Sequence, residues 1–298
     1  MAFTPAEPAN PLVFKIAEIV FALSRTPAVI SPLIAGAYRD FLCAEEPQVS
    51  IQISYHGIPH MLLRDQSKVF DSELVWSLYE QDGKKAFALW SPSAGPRPYQ
   101  LAIFKGDFSQ GEIFHRSSKT RMAPKDIASS LGFPLSEVLM VCLLAQERGL
   151  MVHACGVDDG GRGYLFAGNS THGKTTMARL WKGQARILND DRIVLRQREG
   201  RLWMYGTPWH GEYSSVSPHG VPLAKIFFLR HNHANHIHQI AGATAASMLL
   251  ARCFPPLWDA KGMHFTLDLC ASLAETAPCY ELGFTPDSSV VDFIRCVQ

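Results

Sequence analysis

The residues best suited to chemistry lie in one run, Gly168-Asn169-Ser170-Thr171-His172-Gly173-Lys174-Thr175, with Thr176 behind it. The run satisfies G-x-x-x-x-G-K-[ST] without a mismatch. A stretch of this kind wraps an anion. Small residues let successive backbone N–H groups turn inward, and a helix opening behind them adds its free N–H groups and the positive end of its dipole. Residues Gly168 to Thr176 are therefore the candidate nucleotide cradle. Lys174 is expected to reach the β- and γ-phosphates and Thr175 to set its hydroxyl on Mg²⁺, while Thr176 reads more as a helix residue than as a ligand.

Sixteen residues beyond Lys174, the apolar run Ala185–Leu188 ends in Asn189-Asp190-Asp191. Phosphoryl transfer is mostly positioning and charge stabilisation, so it needs a carboxylate that holds a cation and a group that orients the attacking oxygen. Neighbouring acids on a strand point to opposite sides and can divide these jobs. Asp190 is assigned as the base and Asp191 as the metal ligand, with the reverse assignment open.

Positioning these groups takes a strand before the loop and a helix after it. Gly163–Ala167 and Lys174–Trp181 have those textures, and Met151–Val157 reads as a second short strand. Ahead of them, Pro134–Gly149 reads as a helix, with Leu135, Val138, Leu139, Cys142 and Leu143 at helical spacing and Gly149 at the stop.

The order Val152-His153-Ala154-Cys155-Gly156-Val157, strand, phosphate loop, helix, Asn189-Asp190-Asp191-Arg192-Ile193 resembles the HPr kinase/phosphorylase and phosphoenolpyruvate carboxykinase-like superfamily, particularly kinases related to HPr kinase. The resemblance covers roughly Phe133 to Leu229. It implies an α/β fold, a P-loop mixed sheet flanked by helices, spanning 121–298. The N-terminal third carries no such family signal; it reads as a smaller α+β domain, 1–120, and with the loops after Asp191 it is a candidate for acceptor binding, because the phosphate loop recognises only nucleotide. It implies ATP and Mg²⁺, and places His153 beside the transferring phosphoryl group, catalytic together with Asp190 and Lys174. For His153 alone, an internally bonded core histidine is the other reading. Relatives usually carry glycine where this chain has Thr171, so Thr171 must avoid positive φ or strain the loop. They carry a small or aliphatic residue at His172. The downstream segment used for dephosphorylation is not found, so neither the reverse reaction nor HPr as substrate carries over.

The expected activity is transfer of a γ-phosphoryl group to a hydroxyl, foremost serine of a peptide or protein. Alternatives are a kinase of a small molecule such as free serine, a carboxykinase-like enzyme, and a nucleotide-binding interaction module without turnover. A homo-oligomer is compatible with any of them.

Composition bounds the rest. With 298 residues, 28 Lys+Arg against 27 Asp+Glu and 47% hydrophobic residues, the chain has an ordinary globular make-up and lacks the cationic excess of nucleic-acid binders. Seven cysteines without a CxxC pair point to a reducing compartment and a cytoplasmic location. No secretory signal is read at the N-terminus. The apolar stretch 11–38 is broken by Lys15, Glu18, Arg25, Pro27 and Pro32, which argues against a membrane span. Spacing at Leu12, Ile16, Ile19, Val20 and Leu23 predicts a short amphipathic helix. Val49–Arg116 reads as a small antiparallel sheet, and Ser117–Lys125 as a linker or mobile loop.

Downstream, Tyr205–Tyr213 is a candidate lid or acceptor-binding loop, or an ordinary loop anchored by Trp209. Val221–Leu229 reads as a buried strand and Ala241–Ala251 as a helix. His231, His233, His236 and His238 have strand-like metal spacing across an expected hairpin, but lack cysteine or carboxylate partners and fit an exposed tip better. Arg192, Arg230 and Arg252 are each able to meet a phosphate, though solvated arginines are the commoner case.

Overall fold

The computed structural model describes residues 11–26, 36–55, 57–59, 67–116 and 131–297; Ser117–Lys125, read as a linker, lies outside them. The chain is mixed α/β, with two large mixed sheets and few helices. It divides into two compact units, Met1–Leu139 and Met140–Gln298.

The first unit is built on eight strands: β1 (Leu12–Ile16), β2 (Ile19–Thr26), β3 (Val49–Ser54), β4 (Ser67–Asp71), β5 (Trp76–Gln81), β6 (Lys84–Leu89), β7 (Gln100–Lys105) and β8 (Gln110–His115). Their order in the sheet is β1-β2-β3-β8-β7-β6-β5-β4. Two expectations are corrected here. The sheet is mixed, because β2–β3 and β3–β8 pair parallel. The helix expected over Leu12–Leu23 is a hairpin, with Leu12 facing Leu23 and Ile16 facing Ile19. Its two-residue turn, Ala17-Glu18, has both residues at positive φ (48° and 63°), the twist that suits a tight hairpin. Ala-Glu lacks the Asn-Gly signature of such turns, while the Val, Ile and Phe content of the flanks favours strands. Ahead of Leu135 the described residues of this unit form strands and 3-10 turns such as Gly36–Phe41, and no α-helix occurs among them.

Helix α1 (Leu135–Leu144) spans the division between the units. The second unit then runs β9 (Leu150–Asp159), β10 (Arg162–Ala167), α2 (Lys174–Trp181), β11 (Arg186–Asn189), β12 (Arg192–Arg198), β13 (Arg201–Tyr205), β14 (Gly220–His231), β15 (His236–Ile240), α3 (Gly242–Leu250), α4 (Ala260–Thr276), β16 (Cys279–Phe284) and α5 (Ser289–Cys296). The sheet order is β10-β9-β12-β13-β14-β16-β15, with β11 on β9 and a further parallel pairing of β10 with β14. Parallel strands covered on both faces read as unbroken apolar runs, as in Tyr164–Ala167 of β10 and Ile226–Leu229 of β14. One face packs Leu165, Ala167, Ile226 and Phe228 on α3 and α4. The other packs Tyr164, Phe166, Phe227 and Leu282 on α2 and α5, where Trp181 is fully enclosed. Burying a side chain of that size contributes roughly 3 kcal/mol.

The hairpin expected at His231–His238 does not form. β16 lies between β14 and β15, parallel to the first and antiparallel to the second. His231 therefore ends a strand that is not a neighbour of the one bearing His236 and His238, His233 lies in the bend between, and no cluster of three or more His, Cys, Asp or Glu able to hold a metal occurs among the described residues. No helix among these residues is long and apolar enough to cross a membrane.

Candidate active site

Gly168–Gly173 joins β10 to α2 at the carboxyl ends of the parallel strands β10 and β14, where open α/β sheets bind ligands. Two glycines are required by geometry. A Cβ on Gly173 would stand 2.7 Å from the Phe284 ring at a φ of 95°, and one on Gly168 would stand 2.9 Å from the His172 Cβ. Asn169, Ser170 and Thr171 are exposed, and Thr176 lies half-buried in the first turn of α2. Lys174 is only 7% exposed. Its Nζ donates to the Gly168 and Asn169 carbonyls at 3.0 and 2.9 Å, folding back on the loop it would serve. Burial lowers the Lys174 pKa below the usual amine value, although Asp191 and Asp190 act to raise it.

Thr171 does adopt positive φ, at 70°, with its hydroxyl bonded to the Ser170 carbonyl. A β-branched residue there is strained by about 1–3 kcal/mol. Thr171→Gly is expected to stabilise the protein by about 1 kcal/mol, part of the relief being offset by glycine's greater unfolded-state entropy. Urea unfolding checks this; an unchanged or lower midpoint at equal slope would mean the loop stores no strain at Thr171.

The two acids have different partners. Asp190, 1% exposed, accepts from the Thr175 hydroxyl at 2.9 Å and from the backbone N–H groups of Gly211 and Tyr213 at 2.7 and 3.0 Å. Asp191 Oδ1 lies 2.8 Å from His153 Nε2, and its Oδ2 lies 2.5 Å from Arg192 Nη1. The Arg192 guanidinium in turn stacks on Phe254 at 4.3 Å. The Asp191 and His153 side chains are 24% and 26% exposed, so this pair is reachable from solvent. Burial works to raise the Asp191 pKa, but the His153 hydrogen bond and the Arg192, His153 and Lys174 charges outweigh it and hold the carboxyl below its usual range.

The turn that parts the acids is held by Asn189, a fully buried residue whose part the motif does not reveal. Its Oδ1 accepts from the N–H groups of Asp191 and Arg192 at 2.6 and 2.9 Å. Its Nδ2 donates to the carbonyls of Thr207 and Trp209 at 2.8 and 3.1 Å. The Tyr205–Tyr213 segment is thus tethered at Asn189 and Asp190. Gly211 carries a weak signal of that tether, since a Cβ there would come within 3.0 Å of the Asp190 carboxylate.

His153 is placed by β9: its backbone N–H donates to the Arg252 carbonyl at 2.7 Å, and β12 pairs with it through Arg192. The structure therefore gathers Lys174, Thr175, Asp190, Asp191 and His153 around the loop. Of the remaining arginines, Arg230 is exposed and donates to Glu281 at 2.8 Å, and Arg252 is buried.

No family model matches the chain, and no curated protein matches it. Among solved structures it is distantly similar to the HPr(Ser) kinase/phosphatase from Coxiella burnetii, with a TM-score of 0.28 and 11% identity over 48% of this chain and 85% of that one.

Proposed function

We propose that this chain is an ATP- and Mg²⁺-dependent kinase of the phosphate-loop, phosphoenolpyruvate carboxykinase-like type, transferring a γ-phosphoryl group to a hydroxyl, foremost serine of a peptide or protein. One contact carries the reading: the Thr175 hydroxyl donates to Asp190 at 2.9 Å. A hydroxyl has one proton and two lone pairs, so with its proton on Asp190 its oxygen is left to face a cation. The residues fit a magnesium nucleotide, with Thr175 and Asp190 on the metal side, the backbone of 168–173 around the phosphates and Lys174 at their outer end. Bound Mg²⁺ would supply neutralisation of the charge that develops on the phosphoryl oxygens.

Asp191 and His153 then take the acceptor side, the reverse of the first assignment and one the sequence leaves open. Asp191, kept ionised by His153 and Arg192, orients the acceptor hydroxyl, and the 2.8 Å Asp191–His153 pair receives its proton as the new P–O bond forms and the bond from the γ-phosphorus to the β–γ bridging oxygen breaks, leaving ADP. A weak base suffices, because the transition state is loose and the proton leaves late. Under the same proposal, residues 1–120 help to grip the acceptor and 121–298 form the kinase domain. The seven free thiols suit a reducing, cytoplasmic setting.

The test is incubation of the full chain with γ-labelled ATP and candidate serine peptides or a lysate. Labelled product should appear and should fall at least about 10²-fold in Lys174→Ala. Nucleotide binding with no transfer to any acceptor would favour the interaction module and overturn the kinase.

A further inference from the structure

Among the described residues, four buried side-chain nitrogens lack a hydrogen-bond partner, and two of them, His172 Nδ1 and Arg252 Nε, bracket the same strand end. Arg252 approaches β14 from the α3 side. Its guanidinium lies 5.3 Å from the Phe228 ring centre and its Nη1 donates to the Met248 carbonyl at 2.7 Å. His172 approaches from the phosphate loop, beside the Leu229 main chain, and its ring meets His231 edge-on with centres 5.9 Å apart.

The charges around this spot are mostly positive. Arg252, Arg230 and His231 all act on His172, and the acid in reach of the arginines is Glu281, already bonded to Arg230. Arg252 is 8% exposed, and desolvating a guanidinium with a donor unfilled is costly unless something anionic completes it. Structural arginines at such depth normally meet a carboxylate; this one meets a carbonyl and an aromatic face. The place is also the carboxyl edge of parallel strands, on the opposite side of the loop from Thr175 and Asp190.

We propose that the carboxyl end of β14 is a second oxyanion site, for a phosphate group, with Arg252 as its floor, His172 as its wall and Arg230 and His231 at its rim. Phosphate suits it better than a carboxylate. Four tetrahedral oxygens can meet donors converging from both faces of a strand, and a protonated phosphate oxygen can also donate to His172 Nδ1. The source is either free inorganic phosphate or the phosphoryl group of a monoester. The inference does not rest on kinase activity.

Calorimetric titration of the full-length protein without nucleotide tests it, in a Lys174→Ala background that weakens the phosphate loop's own grip. Inorganic phosphate should bind, and Arg252→Gln should weaken that binding at least about tenfold, the worth of one hydrogen bond to a charged group. Arg230→Gln, at an exposed position that cannot unfold the core, should weaken it by a smaller factor. Phenyl phosphate run in parallel separates the sources: binding by both ligands assigns the site to monoesters, and binding by inorganic phosphate alone assigns it to the free ion. No phosphate binding in the Lys174→Ala protein, or binding insensitive to both arginine substitutions, overturns the site.

Discussion

Asp190→Asn is expected to lower stability by about 1–3 kcal/mol and to abolish magnesium-dependent nucleotide binding, whereas Asp191→Asn should keep both and lose turnover. The asymmetry follows from the donors on each carboxylate. Asp190 receives three, from Thr175, Gly211 and Tyr213, in a position closed to water. An amide there turns one acceptor into a donor facing a donor. The loop from Gly206 to Tyr213 loses an anchor, and the Thr175 hydroxyl loses the acceptor that orients it. Asp191 is partly exposed, and an amide oxygen can still accept from His153 or Arg192. Its loss of charge should cost less than about 1 kcal/mol of stability and about 10²–10⁴-fold in turnover. Thermal unfolding, nucleotide calorimetry and the labelled-ATP assay on the two variants decide the matter. If Asp191→Asn abolishes nucleotide binding while Asp190→Asn spares it, the two acids must be exchanged in the mechanism.

Local signals were legible and long-range pairings were not. The span of α2, Lys174–Trp181, matches the expected helix because the loop motif dictates a helix start at the lysine and the apolar spacing ends at Trp181. β10 and β14 were legible as apolar runs between turn residues. By contrast, the insertion of β16 between β14 and β15 depends on a strand almost fifty residues past β14 and returned by α4, and no periodicity in His231–Ile240 reports it. The β1–β2 hairpin was hidden because Ala17-Glu18 is an unusual pair for its turn and because Leu12, Ile16, Ile19 and Leu23 satisfy a helical spacing as well as a paired one. In the candidate site, the grouping of Lys174, Thr175 and Asp190 near the loop was legible from their types and spacing. That the two acids meet different partners did not show, because the turn that parts them is held by Asn189 bonding forward to the Asp191 and Arg192 N–H groups and across to Thr207 and Trp209. An asparagine before two acids has no sequence signature for that task.

Mild acid is expected to weaken the first unit through His115, at the end of β8. Its ring stacks on Tyr55 with centres 5.2 Å apart, and its Nε2 is buried without a hydrogen-bond partner among the described residues. Burial pushes its pKa down from 6.5 to about 4. Between those values the unfolded chain binds a proton that the folded one refuses, so stability falls as pH drops below 6.5 and the loss is complete near pH 4. A displacement of that size corresponds to about 3 kcal/mol. Carboxylates elsewhere also respond to acid, so the measurement is a difference. Urea unfolding of the first unit in the wild-type protein and in His115→Phe, which keeps a stacked ring without a titrating nitrogen, should give stabilities that diverge steadily from pH 6.5 to pH 4 in favour of phenylalanine. At pH 7.5 the variant should already match or exceed the wild type, because it removes an unsatisfied buried nitrogen. Parallel profiles over the whole range would show that His115 takes up its proton in the folded state, and hence that the ring is not sealed from water.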